Sequence, residues 1–248
     1  MYCLFFIILN NYDMKKFIKL TLIFLFPILG WSQMDLSKKT IEINYVKAYK
    51  NFKDFSNSPP SILRNIEYKL VFNNNEARFE YIPNMSNDGD DENIRFIGRG
   101  GGSGINYKNL KSKEKIHQTE IGGKTYIITN DYDKYDWKLL KDTKKIIGYD
   151  CYKAIGIFKE YSEIRKKDII IEVSVWYAPS LAIPFGPAGY DGLPGIVLES
   201  SMSSFYLIAT DIKFHDNPLK IKKPQDGIMV TNEEFNRIIN KIFLSLGK

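Results

Sequence analysis

The chain is 248 residues long, with 35 Lys and Arg against 29 Asp and Glu, 16 Tyr, 16 Phe and two Cys. A net charge of +6 spread along the sequence is a solubility feature and excludes a nucleic-acid footprint, which would cluster Lys and Arg on one face. Two cysteines exclude a disulfide framework.

The first element is an address. Met14-Lys15-Lys16-Phe17-Ile18-Lys19 is a basic n-region. Residues 20–29 form an apolar run of signal-peptide length, too short for a comfortable membrane span. Gly30 and Ser32 place cleavage after Ser32. Residues 1–32 are therefore expected to be a signal peptide and 33–248 a single domain starting at Gln33, long enough for a sizeable core. Met14 is the expected start; the competing reading is a retained two-part N-terminal anchor, which Asn10, Asn11 and Asp13 disfavour by interrupting the apolar run. The expected location is exported: periplasmic, outer-membrane-associated or secreted, with no stable membrane span after signal removal. Cleavage removes Lys15, Lys16, Lys19 and Asp13, leaving +4. It also removes Cys3, so Cys151 has no disulfide partner within the mature chain and reads as a small buried hydrophobe on a strand.

Strand signals then dominate. Residues 41–52 mix alternation with aromatics. Residues 67–72 and 77–82 flank Asn73-Asn74-Asn75-Glu76, a hairpin pattern. Residues 115–121 and 124–129 flank Gly122-Gly123, a two-residue hairpin signal. Residues 135–140, 146–158 and 169–177 continue the series, and 196–199 and 205–214 flank a serine-rich turn at 200–204. Consecutive hairpins mean antiparallel pairing. A weak helical pattern lies at 58–65. The acidic run 86–93 and the glycine-rich run 99–104 read as one long loop at a sheet end, and Arg165-Lys166-Lys167-Asp168 reads as a solvated turn. At the C-terminus Thr231 and Glu234 form a capping box, followed by Phe235, Ile238, Ile239, Ile242, Phe243 and Leu246 on one helical face. The expected fold is mainly β: a strongly curved, half-barrel-like antiparallel sheet with a C-terminal α-helix packed on it.

The stretch 182–199 organises the chain. Pro184, Pro187 and Pro194 fix φ, and Gly186, Gly189, Gly192 and Gly195 can take conformations closed to other residues. Leu193-Pro194-Gly195-Ile196 fits a type II turn, and Ile196-Val197-Leu198 reads as a buried strand. Two readings stay open: a structural crossover packed by Phe185, Tyr190 and Leu193, or a binding loop whose N–H groups face a ligand or partner. The candidate binding residues are Phe185, Gly186, Pro187, Tyr190, Gly192, Leu193, Pro194 and Gly195.

Gly186-Pro187 followed by Gly192-Leu193-Pro194-Gly195-Ile196-Val197-Leu198-Glu199 resembles the signature of the GLPGLI family. Trp137-Lys138-Leu139 with Lys145-Ile146-Ile147-Gly148-Tyr149-Asp150-Cys151-Tyr152-Lys153-Ala154, and Val175-Trp176-Tyr177-Ala178-Pro179, resemble two further blocks of that family. The match spans about residues 130–200. Ile196-Val197 stands where the family name has Leu-Ile, a conservative change. The resemblance implies an envelope protein of a Gram-negative bacterium with no assigned catalytic residues, and an accessory role beside an outer-membrane transporter.

Chemical motifs are scarce. Counted from Asp88, the sixth position is Asn93, so the acidic run fails the calcium-loop pattern. The glycine-rich run has no G-x-G-x-x-G or G-K-[ST] spacing. His117 and Glu120 face opposite sides of a strand, and both His117 and His215 read as surface or strand-end residues. Neither G-x-S-x-G nor H-E-x-x-H occurs. No catalytic residue, metal ligand set or cofactor is assigned. Two function classes follow. One is a non-catalytic envelope binding or accessory protein, holding an apolar or lipid-like ligand or assisting an outer-membrane transporter. The other is a hydrolase with a dispersed active site.

Overall fold

The computed structural model describes residues 39–50, 61–83, 97, 102–162 and 167–246. The expected signal peptide at 1–32, the acidic run 86–93, residues 99–101 and residues 163–166 lie outside the described residues.

The strands are β1 (Thr40–Tyr49), β2 (Ser61–Phe72), β3 (Glu76–Ile82), β4 (Ile105–Asn109), β5 (Glu114–Ile121), β6 (Lys124–Thr129), β7 (Asp136–Ile146), β8 (Tyr149–Ser162), β9 (Lys167–Ala178), β10 (Ile196–Met202), β11 (Phe205–His215) and β12 (Ile228–Thr231), followed by helix α1 (Asn232–Leu246). They form one open twelve-stranded sheet in the order β12-β6-β5-β4-β3-β2-β1-β11-β10-β9-β8-β7. Local chemistry sets the turns. Asn73 Oδ1 accepts from the Asn75 and Glu76 N–H groups at 2.8 and 3.0 Å, closing the β2–β3 hairpin. Gly122 and Gly123 have φ of +59° and +71°, the left-handed pair that a two-residue hairpin needs, and Ile121 faces Lys124 across it.

The strands depart from expectation at several places. Residues 61–65 are strand, not helix, because Ser61 and Ile62 pair with Tyr49 and Ala48 beyond a register shift in β1. Strands β4 and β12 have no clear sequence signal; they are five and four residues long and owe their form to pairing. Strand β7 runs through the polar residues 141–145, since it is the sheet edge and every residue of it but the last, Ile146, keeps some exposure. Finally, β12 pairs with β6 in parallel, an exception to an otherwise antiparallel sheet.

The connectivity requires curvature. The chain builds a meander from β1 outward to β6, crosses to the opposite edge at β7, then winds back until β11 pairs with β1. Strands β6 and β7 are ten spacings apart in the sheet order, about 48 Å if the sheet were flat. The connection between Thr129 and Asp136 reaches at most about 25 Å. The sheet must therefore curl until its two ends approach.

The concave face holds the core: Ile41, Ile43 and Tyr45 from β1, Tyr68, Leu70 and Phe72 from β2, Phe79 from β3, and Ile196 and Leu198 from β10. Lys47 shares that face, fully buried, with Nζ 3.4 Å from the Ile97 carbonyl oxygen and 5.4 Å from the centre of the Tyr68 ring; burial pulls its pKa down to about 7. Helix α1 starts at the expected capping box: the Thr231 N–H donates to Glu234 Oε2 at 2.8 Å and the Glu234 N–H to Thr231 Oγ1 at 3.2 Å. It packs Phe235, Ile238 and Ile239 against Tyr126 and Ile128 of β6. Residues 216–227 cross the sheet as a strap. The Leu219 N–H donates to Thr40 Oγ1, Arg78 Nη1 to the Lys222 carbonyl and Gln118 Nε2 to the Asp226 carbonyl.

Candidate functional site

The glycine- and proline-rich loop fills the curl as a plug. Phe185, Tyr190 and Leu193 are 1%, 4% and 2% exposed; Gly186, Pro187 and Gly195 are buried, and Gly192 and Pro194 are exposed. Phe185 packs on Phe72, Tyr190 on Tyr135, and Leu193 joins Val173, Val175 and Val197. Several N–H groups are spent inside the loop: Tyr190 donates to the Pro187 carbonyl at 3.0 Å, Gly192 to Pro184 at 3.2 Å and Val197 to Phe185 at 3.0 Å. The Tyr45 hydroxyl donates to the Val197 carbonyl at 2.6 Å, fastening the loop exit to the centre of the sheet.

The expected type II turn does not form. Gly192 has φ of +90°, but Gly195, which such a turn would place in the left-handed region, does not have positive φ. Gly195 is required for another reason. A Cβ there would overlap the backbone of Ala178 and Pro179, so only glycine allows β10 to start against the end of β9.

Asp191 is the one charged residue between Leu181 and Leu198. Its Oδ1 lies 2.7 Å from Lys108 Nζ on β4 and its Oδ2 3.0 Å from Lys115 Nζ on β5, and all three side chains are under a tenth exposed. Its carbonyl oxygen accepts from Trp137 Nε1 at 2.9 Å. Lys108 Nζ also sits 4.1 Å from the centre of the Tyr132 ring, and Lys115 Nζ 5.0 Å from that of Tyr135. One loop residue thus ties β4 and β5 to the edge strand β7. Two ammonium groups share a single carboxylate, leaving one buried positive charge. Burial pulls the Lys115 pKa down, and its attraction to Asp191 opposes this.

Beside this cluster is a polar recess of about 290 Å³. Asn106 of β4, Lys115 and His117 of β5, and Asn130 and Lys134 of the β6–β7 connection line it; Asn232 and Asn236 of α1 close it. Ser103, Tyr135, Ala188 and Gly189 complete the polar and loop-side walls, Ile128, Phe235 and Ile239 add an apolar side, and no Asp or Glu is among the described lining residues. Ala188 holds φ of +53°, strained for a residue with a Cβ. His117 is not the surface residue expected. Its Nδ1 is buried with no hydrogen-bond partner among the described residues, and burial pulls its pKa down to about 4. Period-two alternation places His117 on the same face as Lys115, and a lysine on a strand normally marks the solvent side; curling turns that face inward.

The sequence reading singled out the loop but missed Lys108, Lys115, Asp191, His117 and the asparagines around them. A usable signal existed only for Asp191, an acid set among apolar, Gly and Pro residues. Among the described residues, no group of three or more His, Cys, Asp and Glu side chains could hold a metal, and no helix is long and apolar enough to cross a membrane.

No protein-family model matches the chain, and no curated protein matches its sequence. Two solved structures of PNGF-II, in space groups P21 and C2, are similar to it, with TM-scores of 0.52 and 0.50 and 17% identity over 82% of this chain. The chain spans about a third of the length of PNGF-II, 34% and 33% in the two structures. At that identity the likeness is one of fold: a mainly β chain whose large, open, curved sheet carries a C-terminal helix.

Proposed function

We propose that this chain is an exported envelope protein of the GLPGLI type that binds rather than catalyses, with the polar recess as its ligand site and an outer-membrane transporter as its partner. Export is supported by the basic n-region, the short apolar core and the Gly30/Ser32 cleavage pair. The family and the transporter role are supported by the three signature blocks.

The observation that carries the binding reading is the recess lining. It holds ammonium, amide and imidazole groups with no carboxylate beside the imidazole among the described residues. A histidine base needs an acceptor to orient it and a pKa near the working pH; His117 has no partner at Nδ1 and a pKa near 4. The lining is mixed, with Ile128, Phe235 and Ile239 beside the ammonium, amide and imidazole groups, and suits a small ligand with a polar end.

The test is mass spectrometry of small molecules and cross-linked proteins recovered with the mature chain from its own envelope. A stoichiometric polar ligand or a transporter supports the proposal. Ser103 and His117 share the recess and favour the dispersed hydrolase as a second reading. Ester or peptide turnover lost in both Ser103→Ala and His117→Ala would replace binding with catalysis.

A further inference from the structure

We infer that the recess beside the Lys108–Asp191–Lys115 cluster is a binding site for a small oxyanion: a carboxylate, sulfate or phosphate group, alone or at one end of a small molecule. The inference rests on the reading of the recess as a ligand site and adds the chemistry of the ligand.

Charge is the first argument. Lys108 and Lys115 both bind Asp191, so one of the two buried positive charges lacks a protein counter-charge within the cluster. Buried charge is costly unless compensated. Lys115 belongs to both the cluster and the recess wall, so an anion in the recess would sit against that excess. Lys134 adds a second ammonium from the β6–β7 connection, its Nζ 4.2 Å from the centre of the Phe158 ring.

Hydrogen-bonding capacity is the second. Asn106, Asn130, Asn232 and Asn236 bring side-chain amides from two strands' ends and the helix, and each NH₂ is a donor pair suited to an oxyanion. His117 adds a buried ring nitrogen, Nδ1, without a hydrogen-bond partner among the described residues. Gly189 forms part of the wall with φ of +77°, a conformation that disfavours any residue with a Cβ. The helix contributes amides and not its dipole, because the capping box and the acids Glu233 and Glu234 already occupy its first turn.

Size and surroundings limit the ligand. About 290 Å³ is at the lower end for a small-molecule site, so the group is metabolite-sized. An adjoining open cleft shares Lys134, Tyr135 and Asn232 with the recess but carries Asp131, Asp133 and Asp136. Those acids disfavour a long polyanion extending from it.

The test is calorimetric titration of the mature protein with sodium sulfate, phosphate and acetate, each against chloride at matched ionic strength. The three probes separate a tetrahedral from a planar oxyanion. Lys115→Met would break the cluster and disturb folding, so the variants are Lys134→Gln and Asn236→Ala, with thermal melts of each without ligand. The expected result is saturable binding of at least one oxyanion and not of chloride. Lys134→Gln should weaken it about tenfold, as the loss of one charge-assisted contact does, while its melt without ligand stays cooperative. No oxyanion binding beyond chloride, or equal binding by wild type and both variants, would overturn the inference. A co-purified ligand or partner that no oxyanion displaces would overturn it while leaving the binding role intact.

Discussion

Lys108 Nζ lies 2.7 Å from Asp191 Oδ1, a contact between residues 83 positions apart whose side chains are 7% and 6% exposed. Because Lys115 shares the same carboxylate, the three positions should not respond alike to mutation. Asp191→Ala leaves two buried ammonium groups facing each other and should cost about 3–5 kcal/mol of stability. Lys108→Met keeps the Lys115–Asp191 pair and should cost roughly half of that or less. Urea denaturation of the two variants checks the order; equal losses would mean that Asp191 is not the shared partner.

The pH dependence of stability has a signature in the acidic range. Burial lowers the His117 pKa to about 4 in the folded state, with a smaller lowering from Lys134 and an opposing backbone contact with Ile105. The unfolded chain takes up a proton near pH 6.5 that the folded chain refuses until about pH 4. Stability should therefore fall as pH drops through that window, by at most about 1.4 kcal/mol per unit from this group, and level off below it. His117→Gln should flatten the slope, as read from urea midpoints across pH 4 to 7.

The loop should behave as core. Leu193→Ser, at a side chain 2% exposed, removes apolar volume and buries a hydroxyl, at a cost of about 3 kcal/mol. At this chain size that corresponds to a drop of roughly 6–12 °C in melting temperature. Gly195→Ala should also destabilise, because its methyl group would overlap the Ala178 carbonyl. A Leu193→Ser protein of unaltered stability would contradict the packing described.

Cys151 should be chemically silent. It is fully buried in the core, and burial raises its thiol pKa to about 11. A thiol reagent at neutral pH should label it only after unfolding, and Cys151→Ala should cost on the order of 1 kcal/mol. Rapid labelling of the native protein would place the thiol elsewhere.

What the sequence determined by itself is local. The two-residue Gly122-Gly123 turn, the Asn73 hairpin, the Thr231–Glu234 capping box and most strand spans were legible, because each depends on neighbours a few positions away. The short strands β4 and β12 and the continuation of β7 through its lysines were not, because pairing with a distant strand overrides a weak local preference. The tertiary structure alone decided which strand face became interior. Alternation tells that Lys115 and His117 share a side and differ from Ile116; it cannot tell that the sheet curls until that side closes on Asp191 and α1. Curvature follows from a connection too short to span a flat sheet, and burial and charge pairing follow from curvature. A charged strand face therefore became the wall of a recess, by contacts 76 and 83 residues apart in the chain.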